Sequence, residues 1–209
     1  MRAREVLQVA DVIACEDTRT SKKLLDYYDI SKPTLSFHQH NEHKKVEELM
    51  QRLDRQQTVA LISDAGMPGI SDPGFLAVRA AHQRGHTVRA IPGPDAATTA
   101  LVASGLPCDR YIFEGFLPHK KGRQGQIKEL LDEERTVLFY ESPFRVLKLL
   151  DELETHLGGR RYVAVCKELT KQYEHIERGP VEELAAALQE NTAIKGEFVV
   201  VVAGCKYSE

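Results

Sequence analysis

The sequence lacks the features that mark several specialised classes of protein. It has no tryptophan, and its four cysteines are widely separated, with no Cys-x-x-Cys pair. That spacing disfavours a disulfide framework or a cysteine zinc site and is typical of buried, reduced thiols. No apolar run approaches the length of a membrane span, and residues 1–6 lack the apolar core of a signal peptide. We therefore expect a cytoplasmic protein without a membrane partner.

An excess of positive charge is also missing. The 28 lysines and arginines are outnumbered by 31 aspartates and glutamates, which gives a formal net charge of −3. This balance argues against a generally basic nucleic-acid-binding protein but permits a local basic patch that contacts phosphates. The composition, 42% hydrophobic and 28% charged over 209 residues, is typical of a globular chain with one large or two small domains.

The first half of the chain alternates strand-like runs with helical patterns. The predicted strands cover residues 9–15, 34–38, 58–63 and 87–91, and the predicted helices cover residues 18–28, 44–53, 73–84 and 95–104. Strands that are regularly separated by helices form a mostly parallel sheet with helices on both faces. We therefore expect an N-terminal α/β domain over residues 1–106.

The pattern of predicted strands and helices changes after a linker-like segment at residues 105–110. Predicted strands cover residues 111–116, 136–140, 162–166, 174–178 and 197–203, and predicted helices cover residues 124–131, 145–157 and 181–189. The pattern predicts a second α/β domain over residues 107–209, with a mixed sheet.

Two loops rich in glycine and proline follow predicted strands of the first domain, at residues 63–74 and 91–97. In open α/β sheets, ligands bind where the loops at the carboxyl ends of neighbouring strands meet. Neither loop matches G-x-G-x-x-G or a phosphate-gripping P-loop, which disfavours a dinucleotide or a nucleoside triphosphate. We expect a small ligand held by backbone atoms and by Asp64, although each loop taken singly is equally consistent with an ordinary turn.

A cluster of histidines offers a possible metal site. Strand alternation places His38 and His40 on one face, with His43 a turn beyond, and three histidines can hold zinc. A polar strand-to-helix loop in which Asn41 caps the next helix explains the same residues without a metal. We favour the loop and expect no metal.

Charged motifs follow several predicted strands, at residues 16–19, 141–145 and 167–171, and residues 119–123 form the densest basic cluster. Charge runs are usually solvated faces, and the carboxylate of Asp17 can simply cap a helix. Because ligands bind at the carboxyl ends of strands, the same groups can also serve a site. Beside a cleft, the basic cluster can hold a polyanion.

Taken in order, the motifs resemble the bacterial 16S rRNA ribose 2′-O-methyltransferase I family, in the tetrapyrrole methylase superfamily. The matching segments are EDTR at 16–19, HNE at 40–42, SDAGMPGISDPG at 63–74, PGP at 92–94, GFLP at 115–118, ESP at 141–143, ELTK at 168–171 and KGEF at 195–198. The resemblance implies a two-domain class III methyltransferase with S-adenosylmethionine (SAM) in the cleft between the domains. It also implies a homodimer that modifies a cytidine ribose of 16S rRNA in the small ribosomal subunit.

The resemblance implies roles for specific residues. The cofactor contacts that it implies are Asp64, Ala65, Gly66, Met67, Pro92, Gly93, Asp95, Ala96, Ala97, Leu169, Gly196 and Glu197. From the basic cluster we expect RNA contacts by Lys120, Lys121 and Arg123, and we add Arg19 as a fourth candidate. Because the ribose hydroxyl must lose a proton, a carboxylate can assist, and the candidates are Glu16, Asp72, Glu141 and Glu168. SAM carries the methyl chemistry, so no metal is required.

The sequence departs from the family pattern at its start. The family opens with a strand and a Pro-rich loop that forms part of the SAM site, whereas this chain starts within what resembles the first helix. Two alternatives stay open: a precorrin-type tetrapyrrole methyltransferase on the same fold, and a non-catalytic RNA- or ribosome-binding protein. The basic cluster at residues 119–123, with Lys167 and Lys171, favours RNA as the substrate.

Overall fold

A computed structural model of the chain describes residues 1–189 and 194–209. The chain divides into two compact units, Met1–Asp95 and Ala96–Glu209. No helix in these described ranges is long and apolar enough to cross a membrane. Of the four cysteines, Cys15 and Cys166 are buried, as the sequence predicts, whereas Cys108 and Cys205 are exposed.

The first unit builds a parallel sheet between two layers of helices. Its elements are α1 (Arg2–Val9), β1 (Val12–Cys15), α2 (Thr18–Tyr27), β2 (Thr34–Ser36), α3 (Glu42–Asp54), β3 (Val59–Ile62) and α4 (Phe75–Gln83). The strands pair in the order β2-β1-β3, and both pairings are parallel. The predicted parallel sheet is thereby confirmed.

Alternation along β1 explains the two layers, because successive side chains of a strand point to opposite faces. Ile13 and Cys15 pack with Leu25 of α2 on one face. Ala14 packs with Met50 of α3 on the other face. Both faces of this short sheet are therefore covered, as expected for parallel strands.

Two strand predictions in this unit differ from the structure. Residues 87–91 are irregular, and β3, the edge strand of the described sheet, pairs only with β1. A β-like run becomes a strand only when a ladder partner accepts its hydrogen bonds, so the predicted strand at 87–91 is wrong. The first strand also starts later than predicted, because α1 runs to Val9 and the Ala10 N–H still donates to the Val6 carbonyl at 3.0 Å.

The second unit contains a larger, mixed sheet. Its elements are α5 (Ala96–Ser104), β4 (Tyr111–Phe116), α6 (Arg123–Glu129), β5 (Thr136–Glu141), α7 (Val146–Leu157), β6 (Tyr162–Lys167), β7 (His175–Pro180), α8 (Val181–Gln189) and β8 (Phe198–Val202). The strand order is β4-β5-β8-β6-β7. Among the described strands of this unit, only β4 and β5 pair in parallel. The predicted mixed sheet is confirmed.

Both faces of the second sheet are buried. On one face, Phe139 and Val200 pack with Leu150 of α7 and with residues of α6 and α8. On the other face, Val201 packs with Ala100 of α5. All five residues of β8 are buried, because β8 lies between two other strands and between two helical layers.

Helix α5 belongs to the second unit, whereas the sequence pattern places it at the end of the first domain, with a boundary at 106. Its small side chains let it pack closely on the second sheet, where Ala97, Ala100 and Leu101 are buried in one cluster with Val199 and Val201. The boundary between the compact units therefore precedes α5, at Asp95 and Ala96.

Candidate functional site

The carboxyl ends of the parallel strands in the first unit meet at one edge. Cys15 pairs with both Ser36 and Ile62, so the segments that follow β1 and β3 start side by side. The Asp17 N–H donates to Asp64 Oδ1 at 3.3 Å, and the Asp64 N–H lies 3.5 Å from Glu16 Oε2. Two acidic residues that the sequence assigns to the site, Glu16 and Asp64, are thus neighbours although 48 positions separate them.

Arg19 lies at the same edge. Asp17 caps α2 by accepting the Arg19 N–H at 2.8 Å, and its carboxylate also pairs with the Arg19 guanidinium at 2.6 Å. These hydrogen bonds from Arg19 hold the pKa of Asp17 well below its ordinary value. The Arg19 side chain, 89% exposed, therefore faces solvent with its charge partly offset by its neighbour.

The loop at residues 63–74 is fixed at both ends and exposed near its start. At the start, Ser63 Oγ lies 3.1 Å from the Ala65 carbonyl oxygen, to which it donates. At the end, Glu42 Oε1 accepts the N–H groups of Gly74 at 3.0 Å and Leu76 at 3.2 Å, which supplies the cap for α4. Residues 64–66 between these anchors are exposed, so their backbone groups are open to a ligand.

The glycines of this loop are required by its shape. Gly74 has φ +148°, and a Cβ on it would lie 3.1 Å from both Gly69 N and the Leu61 side chain. Gly66 has φ +87°, and a Cβ there would lie 3.7 Å from the Pro94 carbonyl oxygen. The second Gly/Pro loop therefore lies beside the first, as the sequence predicts.

The remaining first-unit candidates lie on these two loops. Pro92 and Gly93 are exposed, and a Cβ on Gly93 would meet nothing within 4 Å. Met67 is half-buried, and its carbonyl accepts the Ile70 N–H at 3.2 Å. Asp72 is half-buried next to Ser71, which has φ +59°. Asp95 is half-buried at the end of the unit.

A corresponding edge exists in the second unit. Glu141 at the end of β5 pairs with Phe198, Phe198 pairs with Lys167 at the end of β6, and Lys167 pairs with His175. These residues form one row across the sheet, so the loops next to them share one edge. The predicted cofactor residues Leu169, Gly196 and Glu197 lie on these loops.

The loop after β6 locks against the segment before β8. Glu168 Oε1 accepts the Glu197 N–H at 2.9 Å and pairs with Lys171 at 3.0 Å, and Lys171 also pairs with Glu197 at 2.9 Å. A Cβ on Gly196 would lie 2.5 Å from Glu168 Cγ, so only glycine fits there. The Glu197 N–H, and next Lys171, hold the pKa of Glu168 below its ordinary value. Glu168 is therefore a structural acceptor that joins the two segments, which disfavours the catalytic role predicted for it.

The start of α5 lies beside the same loop. Ala97 is buried in the cluster that covers this face of the sheet, and Leu169 packs against that cluster. Ala96, one position earlier, is exposed. Ala97 and Leu169, two of the predicted cofactor residues, thus share one hydrophobic cluster.

Glu141 is the centre of a buried ion cluster. Its carboxylate, fully buried, pairs with Arg123 at 3.2 Å and with Arg145 at 2.8 Å, and it accepts the Ser142 N–H at 2.8 Å. Arg123 also pairs with Glu152 of α7 at 2.6 Å. Both oxygens of the Glu141 carboxylate are thus engaged and shielded from solvent, which disfavours the catalytic role predicted for Glu141.

The same cluster corrects the assignment of Arg123. The sequence places Arg123 with Lys120 and Lys121 on an exposed basic loop, but its side chain is only 3% exposed. Buried charge persists when it is paired, and the two carboxylates supply that pairing. Lys120 and Lys121 are exposed, so the surface patch consists of these two lysines. No sequence signal identifies the cluster, since Arg123 is 18 positions from Glu141 and 29 from Glu152.

The histidine segment is organised as a turn. Asn41 Oδ1 accepts the His38 N–H at 2.8 Å, and Asn41 Nδ2 donates to the Ser36 carbonyl at 3.2 Å. The side chain of Asn41 therefore joins β2 to α3 without the capping hydrogen bond that was considered for it. Within residues 1–189 and 194–209, no group of three or more His, Cys, Asp or Glu side chains is placed to hold a metal ion.

Comparison with known proteins gives three kinds of match. The family model described as "Tetrapyrrole (Corrin/Porphyrin) Methylases" matches residues 1–185. The protein named "Ribosomal RNA small subunit methyltransferase I" from Synechocystis is 47% identical over 204 residues, which is 97% of this chain and 73% of that protein. The protein of the same name from Escherichia coli O157:H7 is 47% identical over 210 residues, which is 100% of this chain and 73% of that protein.

Solved structures match the fold. A cobalt precorrin-4 methyltransferase superposes with a TM-score of 0.67 at 18% identity, covering 97% of this chain and 87% of that one. A uroporphyrin-III-C-methyltransferase from Thermus thermophilus superposes with a TM-score of 0.62 at 18% identity, covering 98% of this chain and 87% of that one. At this level of identity the likeness concerns the fold.

Proposed function

Because the chain belongs to the tetrapyrrole methylase family and, within it, to the ribosomal RNA small subunit methyltransferase I proteins, we propose that it transfers a methyl group from SAM to small-subunit ribosomal RNA. The near-complete match to those proteins is the observation that carries this function. The acceptor we assign is the 2′-hydroxyl of a cytidine in 16S rRNA. The precorrin alternative has weaker support, since the solved precorrin enzyme shares 18% identity.

The first-unit edge fits SAM by its chemistry. SAM carries a cationic sulfonium and an ammonium group, and the acidic side chains of Asp64 and Glu16 lie together there. The exposed backbone at residues 64–66 and 92–94 offers N–H and C=O groups to the polar parts of the ligand. When bound, SAM supplies an electrophilic methyl group. In the second unit, Ala96, Ala97, Leu169, Gly196 and Glu197 keep the cofactor role implied by their motifs.

Of the four carboxylates that we considered as proton acceptors, two remain candidates for this role. Glu141 is buried in its ion cluster, and Glu168 is committed to the Glu197 N–H and to Lys171. Glu16 and Asp72 are half-buried at the first-unit loops, and we assign proton removal from the ribose hydroxyl to one of them. Most of the rate enhancement then comes from positioning the hydroxyl in line with the methyl group.

The RNA-contact residues proposed are Arg19, Lys120 and Lys121. All three are exposed, and exposed cations supply the phosphate contacts that dominate RNA affinity. In keeping with its family and its substrate, we also propose that the protein works in the cytoplasm as a homodimer. Exposed apolar side chains on α1 and α2, such as Val9 and Tyr27 at 70% and 79% exposure, are available for such an interface.

The direct test is methyl transfer. Purified protein is incubated with labelled SAM and small ribosomal subunits from cells that lack it, and the label is then located in the RNA. We expect one labelled cytidine ribose. Label in a precorrin offered in a parallel reaction, with none in RNA, would support the tetrapyrrole alternative, and RNA binding with no transfer would support the non-catalytic one.

We expect Asp64→Ala and Asp64→Asn to weaken SAM binding by about 10- to 100-fold, because a hydrogen bond to a charged group contributes about 1.5–3 kcal/mol. Calorimetric titration with SAM measures this. Asp26→Ala, which removes an exposed carboxylate paired with Lys22 on α2, is the matched control and should leave the affinity unchanged. Wild-type affinity in a folded Asp64 variant would remove Asp64 from the site.

We expect the double variant Lys120→Ala/Lys121→Ala to bind small-subunit RNA more weakly and with a shallower salt dependence. Each lost phosphate contact lowers the slope of log affinity against log salt by about one. The control is Lys44→Ala/Lys45→Ala on α3, which removes the same charge from another adjacent pair. SAM affinity should stay constant in both. Parallel salt plots for wild type and the Lys120/Lys121 variant would contradict the RNA contact.

A further inference from the structure

Phe144 is the most exposed aromatic side chain of the described chain, at 94% exposure. It lies three positions after Glu141, the last residue of β5, and two positions before α7 begins at Val146. A phenylalanine left in water contributes none of the free energy that its burial would give, so folding alone does not explain its exposed position. A single exposed apolar side chain is common on folded surfaces, so the surroundings of Phe144 decide whether it marks a binding site.

The turn that carries Phe144 is rigid. The Ser142 carbonyl accepts the N–H groups of Arg145 and Val146, each at 3.0 Å, and Pro143 fixes the backbone at the first central position of the turn. The buried Glu141 carboxylate holds both the Ser142 N–H and the Arg145 side chain at 2.8 Å. Phe144 is therefore presented to solvent from a backbone that is already ordered.

The turn lies next to the basic loop of the second unit. Arg145 Nη1 lies 3.1 Å from His119 Nδ1, and His119 precedes the exposed Lys120 and Lys121. Phe116, 54% exposed, ends the neighbouring parallel strand, and its ring packs edge-on against Tyr140 at 5.5 Å. The turn that carries Phe144 is thus in contact with the loop that carries two exposed lysines.

We propose that Phe144 stacks on an unpaired base of the substrate RNA while Lys120 and Lys121 contact the adjoining phosphates. The proposal rests on the proposed function, since it concerns how that same RNA is held. Aromatic rings beside cations bind single-stranded nucleotides in this way, because every base has a π-face. A pre-ordered ring loses little entropy on binding, which strengthens the contact. The charge around Phe144 favours a polyanion over an apolar protein surface.

The test compares Phe144→Ala, Phe144→Leu, Phe144→Tyr and Phe144→Trp in binding to unmethylated small ribosomal subunits. Stacking of one base contributes enough that Phe144→Ala should weaken binding by about 5- to 150-fold. Tyrosine and tryptophan should restore it, and leucine should not. The salt slope should stay at the wild-type value, in contrast to Lys120→Ala/Lys121→Ala. In the methylation assay KM for the subunit should rise with kcat little changed.

Leu131→Ala is the matched control, because Leu131 is 51% exposed and precedes the opposite end of β5. It should leave RNA affinity unchanged. Wild-type affinity in Phe144→Ala, full restoration by leucine, or a reduced salt slope would each overturn the stacking contact. Loss of self-association in Phe144→Ala, measured by sedimentation, would overturn it in favour of an interface between copies. Absence of methylation by the wild-type protein would instead contradict the proposed function.

Discussion

Replacing Arg123 by methionine is expected to lower the free energy of unfolding of the second unit by about 3 kcal/mol. Breaking a buried ion pair by removing one partner costs roughly 3–5 kcal/mol, because the remaining charge is left without compensation. The lower end of this range applies to Arg123→Met, because Arg145 remains 2.8 Å from Glu141 and still compensates its charge. Glu152, however, retains only Lys148 at 3.8 Å.

Urea unfolding, followed through hydrogen exchange of β5 amides, reports the second unit separately from the first. Arg135→Met is the matched control, since Arg135 is 41% exposed in its pair with Glu133 and exposed ion pairs contribute little to stability. The double variant Arg123→Met/Glu141→Leu should recover part of the loss, because it removes both charges. Equal losses in Arg123→Met and Arg135→Met would mean that the cluster does not stabilise the unit.

Replacing Gly204 by alanine is expected to cost about 3 kcal/mol, the upper part of the range for overpacking. A Cβ on Gly204 would lie 1.9 Å from the Glu134 carbonyl oxygen and 2.4 Å from its carbonyl carbon. Both are backbone atoms, so no side chain can rotate away. In the wild-type protein the adjacent hydrogen bond from the Cys205 N–H to the Glu133 carbonyl, at 2.7 Å, holds the two segments together. In the alanine variant this hydrogen bond must be strained.

Gly125→Ala is the control for that substitution. Gly125 lies inside α6, and a Cβ there would meet nothing within 4 Å. Alanine is favoured over glycine in a helix by up to about 1 kcal/mol, so this change should raise the thermal midpoint while Gly204→Ala lowers it. Thermal unfolding of both variants measures these midpoints. A Gly204→Ala midpoint at or above that of the wild-type protein would show that the backbone relaxes freely.

The fold was predictable because local patterns and tertiary structure agree over most of the chain. Strand β4 and helix α8 have the predicted bounds, Tyr111–Phe116 and Val181–Gln189, and in α8 the apolar residues Val181, Leu184 and Ala185 form the buried face. The strand predicted at residues 87–91 is wrong for the opposite reason. Its residues are β-like, but whether a run becomes a strand depends on a partner, which the run itself does not encode.

The candidate site was predictable to the level of loops and not of individual charges. The Gly/Pro loops at residues 63–74 and 91–97 were identifiable, since glycine and proline report backbone geometry directly. Arg123 was not, because a basic residue after two lysines and a glycine has the same local pattern whether it faces solvent or two buried carboxylates. Only the packing of α6 against β5 and α7 distinguishes these cases. Phe144 became informative only through its exposure.

The central place of β8 sets when the second sheet can form during synthesis. Strands β5 and β6 both pair with β8 and do not pair with each other, so the β4-β5 and β6-β7 pairs stay separate until residues 198–202 leave the ribosome. Chains grow at roughly 5–20 residues per second, and N-terminal domains generally fold first. Until then, the nascent second unit exposes the apolar faces of two half-sheets. Chaperone binding, and premature termination near β8, therefore matter more for the second unit than for the first.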